Sequence, residues 1–142
     1  MPWDVQGCRC QRPAGEEGPL LILVDSSGWI EYLTDRPLAR RFAMYLEGSE
    51  PLLLSAIEMY EVCKVLRRGF SEQQVSSGLA ALRRTTIVPV DESLALNAVE
   101  VSLEHGLAMA DSIIYATARR HDASLVTADS DFEDLPGVTV VR

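Results

Sequence analysis

The sequence lacks an apolar run long enough to form a membrane-spanning helix. Its longest apolar runs, at residues 20–24 and 52–54, have the length of strands, whereas a spanning helix needs about 20 apolar residues. The first nineteen residues also lack the basic start and long apolar centre of a secretory signal. We therefore expect a soluble protein with no membrane segment, and we interpret residues 1–19 as a loose N-terminal tail.

Cysteine is scarce. The chain has three cysteines, an odd number, and Cys8-Arg9-Cys10 has neither the two-residue gap nor the partner His or Cys pair of a zinc site. This pattern favours free thiols in a reducing cytoplasm over disulfides or structural zinc.

Excess positive charge is also missing. The formal net charge is -8, which disfavours non-specific affinity for a polyanion, because that affinity comes from many cationic contacts to phosphates. The basic residues occur mainly in pairs, and three of these pairs end predicted helices, where they complement the helix dipole. Any contact with nucleic acid must therefore depend on a few local residues. The pairs are Arg40-Arg41, Arg67-Arg68, Arg83-Arg84 and Arg119-Arg120.

The hydrophobic pattern alternates between strands and helices along a chain of one domain's length, residues 20–142. Short apolar segments predict strands at 20–24, 52–54, 86–90, 124–127 and 138–141. Capping residues and helical periodicity predict helices at 37–47, 55–68, 71–84, 91–105 and 110–120. This order predicts an α/β fold, a three-layer α/β/α sandwich around a central, mostly parallel sheet. Pro89 indicates an edge strand or a strand end.

Two aspartates follow predicted strands. Asp25 comes directly after the first strand, and Asp129 follows Thr127 with one residue between. Ligands of open parallel sheets bind outside the carboxyl ends of the strands, so both side chains are placed for chemistry. An Asp in such a position is more commonly a helix cap or a turn former, and neither residue is decisive alone.

Asp111 is more informative because it lies on an apolar helix stripe. Ile114, Tyr115 and Ala118 follow it at helical spacings of three, four and seven, which turns its carboxylate toward the core. The alternative is that Asp111 caps the helix.

A second helix offers a further carboxylate. Glu61 lies between Ile57 and Val65 at the boundary of the buried arc, although it is also placed to pair with Lys64 on a solvated face. Glu58, on the same helix, is the residue most easily mistaken for it.

Several buried carboxylates together imply a cation, because like charges repel when they leave water. Oxygen ligands alone favour Mg²⁺ or Mn²⁺ over zinc. The two histidines, His105 and His121, lie at or just past helix ends and are not assigned to the site.

Four segments together resemble the PIN-domain family, specifically its VapC-like toxin ribonucleases of type II toxin-antitoxin systems. The similarity extends in order from about Leu21 to the C-terminus. The matching segments are Val24-Asp25-Ser26-Ser27, Ser55-Ala56-Ile57-Glu58-Met59-Tyr60-Glu61-Val62, Asp111-Ser112-Ile113-Ile114-Tyr115-Ala116 and Leu125-Val126-Thr127-Ala128-Asp129-Ser130-Asp131-Phe132.

The resemblance implies roles for individual residues. Asp131 would be auxiliary, and Thr127 and Ser26 would orient carboxylates by hydrogen bonds, unless they are ordinary strand-end caps. Asp25 and Asp111 would be the most direct metal ligands. The catalytic and metal-binding quartet would be Asp25, Glu61, Asp111 and Asp129.

The resemblance also implies a reaction and partners. The chain would be a cytoplasmic endoribonuclease that hydrolyses RNA phosphodiester bonds with Mg²⁺ or Mn²⁺. It would form a homodimer and be inhibited by a cognate antitoxin, whose C-terminal segment would lie in the active-site groove and supply a basic residue.

Two alternatives remain open. A Mg²⁺-dependent small-molecule phosphohydrolase would also place aspartates at strand ends, but such families use a late lysine, and the only lysine here is Lys64. The phosphate-cradling G-x-x-x-x-G-K-[ST] motif is absent as well. The second alternative is a catalytically silent PIN-like module that binds RNA or a protein partner.

Overall fold

The computed structural model describes residues 20–142. The predicted tail at 1–19, with Cys8 and Cys10, lies outside the described residues. Within residues 20–142, Cys63 is a free thiol. No helix in this part of the chain is both long and apolar enough to cross a membrane.

A five-stranded sheet forms the centre, with strand order β3-β2-β1-β4-β5, and every pair of neighbours is parallel. The predicted strands are therefore confirmed to within two residues at each end. β3 is an edge strand that ends before Pro89, which has no N–H to donate to a ladder. The strands are β1 (Ile22–Val24), β2 (Leu52–Ser55), β3 (Thr86–Val88), β4 (Ser124–Thr127) and β5 (Val138–Val140).

Six α-helices of the described region flank the sheet. The residues Ser55, Ser71 and Asp91 cap α3, α4 and α5 by accepting backbone N–H groups, and Gly106 ends α5 at φ 70°. The helices are α1 (Ser26–Leu33), α2 (Ala39–Leu46), α3 (Ala56–Gly69), α4 (Glu72–Arg83), α5 (Glu92–His105) and α6 (Met109–Arg120), and a 3₁₀ turn spans Ser130–Phe132.

Alternate strand residues pack into two separate cores, which confirms the three-layer sandwich. Leu23 of β1 packs with α5 and α6, whereas Ile22 and Val24 pack on the opposite face with α1 to α4. β2 and β4 show the same alternation. The central strands are thus covered on both sides, which explains their continuous apolar sequence.

The helix α1 was not expected from the sequence. Its first three residues, Ser26-Ser27-Gly28, are weak helix formers, and no helical periodicity precedes residue 37. The helix forms because Asp25 caps it and because Gly28 is buried directly against Phe42 and Val24. Tertiary packing therefore overrides weak local propensity here.

Candidate metal centre

The chain order places a switch point between β1 and β4. From β1 the chain adds β2 and β3 on one side, and then returns to add β4 and β5 on the other. Asp25 follows β1 and Asp129 follows β4, so both residues lie at the carboxyl ends of neighbouring strands. This is the position at which open parallel sheets bind their ligands.

Asp25 is held by a dense set of hydrogen bonds at 2% exposure. Its Oδ1 accepts the Ser26 N–H at 2.7 Å and the Ser26 hydroxyl at 3.2 Å. Its Oδ2 accepts the hydroxyls of Ser27 at 2.9 Å and Thr127 at 2.7 Å. Burial raises the pKa of Asp25, and these hydrogen bonds oppose that rise because they favour the charged form.

Further hydrogen bonds tie the end of β4 to the end of β1. The Thr127 hydroxyl accepts the Asp129 N–H at 2.9 Å, and the Ser27 hydroxyl accepts the Ala128 N–H at 3.1 Å. The Asp129 side chain accepts the Asp131 N–H at 2.9 Å. The network fixes Asp25 and Asp129 relative to each other. Ser27, which sequence reasoning did not assign, is part of it, and the only signal for it is the pair of serines after the strand.

Asp111 reaches the same place from α6. It is the third residue of the helix, whose N-cap is Ala108, so the alternative that Asp111 caps α6 is wrong. Oxygens of Asp111, Asp129 and Asp131 lie within 4.8 Å of one another. Burial raises the pKa of Asp111 to about 7, and the charges on Asp25, Asp129, Glu61 and Asp131 add to the rise. All five predicted acidic residues are therefore within electrostatic reach of one another.

Glu61 completes this acidic cluster from α3. Its pKa is raised by burial and by the charge of Asp25, and is lowered by a hydrogen bond from the Ser26 side chain. Its buried Oε1 has no hydrogen-bond partner. The ammonium group of Lys64 instead donates to the Tyr60 hydroxyl at 3.2 Å and lies 5.3 Å from the Tyr60 ring centroid.

Glu58 also faces the cluster, although the sequence pattern did not favour it. It is fully buried, and its Oε2 accepts the Ser55 N–H at 2.7 Å. Burial raises its pKa well above the usual range, and the charges of Asp25 and Glu61 raise it further. Its position in an N-terminal capping box gives it an ordinary structural explanation, which hides its proximity to the cluster in the sequence.

The donor set fits a hard divalent cation. The ion pairs within residues 20–142 all lie elsewhere, between His105 and Glu104, Arg120 and Asp91, and Arg142 and Glu133. The cluster thus has negative charge that no ion pair in the described region compensates, together with unpartnered carboxylate oxygens. Oxygen donors without His or Cys are the ligands that Mg²⁺ and Mn²⁺ prefer.

Several solved structures have this fold. The chain is 28% identical to a chain of a toxin-antitoxin complex from Klebsiella pneumoniae, with a TM-score of 0.73 and coverage of 84% of this chain and 96% of that chain. VapC20 from Mycobacterium tuberculosis, described as a sarcin-ricin loop cleaving toxin, is 21% identical with a TM-score of 0.69, over 85% of this chain and 98% of its own.

A chain of DNA-bound VapBC from Salmonella typhimurium also superposes, at 19% identity and a TM-score of 0.69, over 86% of this chain and 97% of that chain. A comparison with curated protein sequences gives no significant match.

Membership of a family is decided by the sequence profile. The PIN domain profile matches residues 22–138, a range that includes both central strands and every member of the acidic cluster. The profile thus covers most of the chain, and the solved structures agree with it in fold. This chain is a member of the PIN domain family.

Proposed function

We propose that this chain is a divalent-metal-dependent endoribonuclease, the toxin of a toxin-antitoxin pair. The observation that carries the proposal is the convergence of carboxylates from distant segments on one point at the switch of strand order. The charges of four of them act on Asp111. Such an arrangement is unfavourable without a cation, and hydrolysis of a phosphodiester is the reaction that metal-carboxylate clusters perform in this setting.

The residues divide into ligands and positioning groups. Asp25, Glu61, Asp111 and Asp129 would hold Mg²⁺ or Mn²⁺, with Asp131 as an exposed auxiliary carboxylate. The bound cation would supply a water of lowered pKa and compensate charge that develops on the phosphoryl group. Thr127 and Ser26 hold Asp25 in one orientation through the hydrogen bonds described above, as the metal centre requires.

RNA is the proposed substrate. The description of VapC20 as a sarcin-ricin loop cleaving toxin supports RNA for a relative of the same fold. With a net charge of -8, the chain must bind RNA through a few local contacts or by its shape. Lys64, Arg67 and Arg68 supply local positive charge on α3, one to two turns after Glu61. We expect the protein to act in the cytoplasm, where its substrate is found.

A cognate antitoxin is the proposed inhibitor. The relatives from K. pneumoniae and S. typhimurium were solved as toxin-antitoxin or VapBC complexes. A groove between α3 and α4 combines apolar residues with Lys64, Arg67 and Arg68, and this composition suits an acidic amphipathic segment. An antitoxin segment that continues toward the N-terminus of α3 would bring a basic residue to the acidic cluster.

A homodimer is the proposed assembly. One surface of the α5–α6 pair exposes large apolar residues that a monomer has no evident use for. We name it the α5–α6 face, and it adjoins the metal centre because α6 also carries Asp111. Its members are Leu96, Val99, Leu103 and Met109.

The test is cleavage of total cellular RNA, including tRNA and ribosomal RNA, with Mg²⁺ or Mn²⁺ against EDTA. Wild type is compared with Asp25→Asn and Asp111→Asn. The matched control is Asp122→Asn, because Asp122 is exposed, precedes β4 at the opposite edge of the sheet, and has a φ of 52° that Asn tolerates equally.

We expect discrete products that need metal, survive in Asp122→Asn and disappear in the two site variants. Absence of cleavage by metal-loaded, antitoxin-free wild type would overturn the nuclease. RNA binding without cleavage would then identify a silent binding module, and hydrolysis of small phosphate esters would identify a phosphohydrolase.

A further inference from the structure

Two helices of this chain begin with the same capping box but different third residues. At α4, the Ser71 N–H donates to Oε1 of Gln74 at 2.9 Å. At α3, the Ser55 N–H donates to Oε2 of Glu58 at 2.7 Å. A neutral amide therefore makes the reciprocal bond of the capping box as well as a carboxylate does, so the cap does not explain the acid at Glu58.

The location makes a carboxylate at Glu58 unfavourable. Gln74 is exposed, whereas Glu58 is fully buried. The carboxylates of Asp25 and Glu61 lie close enough to repel its charge. Its second oxygen, Oε1, has no hydrogen-bond partner, although buried polar atoms nearly always have one. A glutamine would cap the helix here without adding charge to the cluster.

The second unpartnered oxygen lies on the same face of α3. Glu61 follows Glu58 by three residues, a spacing that stacks side chains on one side of a helix, and its buried Oε1 also has no partner. Asp25 acts electrostatically on both glutamates and on Asp111. Glu58, by contrast, is affected by Asp25 and Glu61 but not by the group formed by Asp111, Asp129 and Asp131. Asp25 therefore stands between two sets of carboxylates.

We propose that Glu58 and Glu61 bind a second divalent cation through their unpartnered Oε1 atoms, on the far side of Asp25 from the group formed by Asp111, Asp129 and Asp131. This proposal rests on the proposed function only in assuming that the cluster binds metal. It assigns a cation-binding role to Glu58, which the capping box alone would make purely structural. The two positions together would allow one cation on each side of the reacting phosphate, as in two-metal hydrolases.

The experiment counts Mn²⁺ bound to the full chain without RNA, by calorimetric titration and by the electron paramagnetic resonance signal of free Mn²⁺. We expect about two equivalents for wild type and about one for Glu58→Gln, a variant that keeps the capping bond as Gln74 does. Asp111→Asn also falls to about one, through loss of the other position. Glu72→Gln is the control, because Glu72 is an exposed first-turn residue of α4.

Far-UV circular dichroism and thermal unfolding accompany each titration. We expect Glu58→Gln to melt at a higher temperature than wild type without metal, and to gain less from saturating Mn²⁺. A stoichiometry of one for wild type overturns the second position whatever the variants do, and so does full Mn²⁺ binding by Glu58→Gln. Wild type that binds one Mn²⁺ and still cleaves RNA leaves the nuclease standing, whereas wild type that binds none overturns both proposals.

Discussion

At the scale of single residues, the carboxylates of the cluster have unequal surroundings. Asp25 accepts four hydrogen bonds, from Ser26, Ser27 and Thr127, and these stabilise its charge. Asp111 is half-buried among other carboxylates, and its pKa is raised to about 7. Asp111 is thus the residue whose charge depends most on a bound cation.

This inequality predicts how the stability of the metal-free protein depends on pH. In the unfolded chain Asp111 releases its proton near pH 3.8, but in the folded protein it does so near about 7. The folded state therefore binds more protons between these values, and stability falls as the pH rises through that window. Above about pH 7 the penalty is complete.

Asp111→Asn removes that penalty. We expect the variant to be more stable than wild type at pH 8 by about 1–2 kcal/mol, since half of the group is in contact with solvent that screens the repulsion. The gain should be near zero at pH 4. Thermal melts in EDTA across pH 4–8 measure it, and Mg²⁺ should recover much of it in wild type. A stability difference that does not change with pH would contradict the prediction.

The Thr127 hydroxyl supports a second prediction, because it donates to Asp25 and accepts from the Asp129 backbone. Thr127→Val keeps the shape of this fully buried side chain but leaves both groups unpaired. We expect a loss of about 1–3 kcal/mol in the free energy of unfolding and weaker Mn²⁺ binding. Chemical denaturation and Mn²⁺ titration measure the two effects.

The matched control is Thr117→Val. Thr117 is also fully buried, but its hydroxyl donates only to the Ile113 carbonyl one turn back in α6. We expect a smaller loss of stability and unchanged Mn²⁺ affinity. Equal effects of both variants on Mn²⁺ binding would show that Thr127 does not position the carboxylates.

At the scale of elements, the sequence predicted five of the six helices described, because Ser55, Ser71 and Asp91 cap strongly periodic segments. It did not predict α1, because Ser26-Ser27-Gly28 has weak helix propensity and Asp25 was interpreted through its position after a strand. Asp25 both caps α1 and joins the cluster, and two functions of one side chain leave a single signal in the sequence.

Packing of α1 gives a third prediction. A Cβ at Gly28 would lie 2.5 Å from Cε1 of Phe42 and 2.6 Å from Cγ1 of Val24, so Gly28→Ala forces α1 away from α2 and β1. We expect a loss of about 1–3 kcal/mol, despite a gain in helix propensity of about 1 kcal/mol. Gly69→Ala, at the end of α3, is the control, because a Cβ there meets nothing within 4 Å. Denaturation midpoints that fall equally for both variants would argue against close packing at Gly28.

At the scale of the whole molecule, the alternation of strands and helices predicted the sandwich, and the strand-end rule predicted where Asp25 and Asp129 meet. Periodicity on α6 brought Asp111 to the same point. The direction of Glu58 was not predictable, since its capping bond and its approach to Asp25 depend on how α3 packs beside β1. Local patterns thus locate the acidic residues, whereas tertiary packing decides which of them share a site.

The exposed α5–α6 face gives the last prediction, at the level of assembly. Leu103 is 78% exposed there, and Met44 on α2 is equally exposed, at 78%, outside that face. If the face joins two copies, Leu103→Glu buries a charge in the interface and shifts the dimer to monomer, whereas Met44→Glu leaves the dimer intact. Light scattering during size-exclusion chromatography measures both masses. A monomeric wild type, or equal dissociation by both variants, would assign these apolar residues to another partner, and the acidic cluster would then function within a single chain.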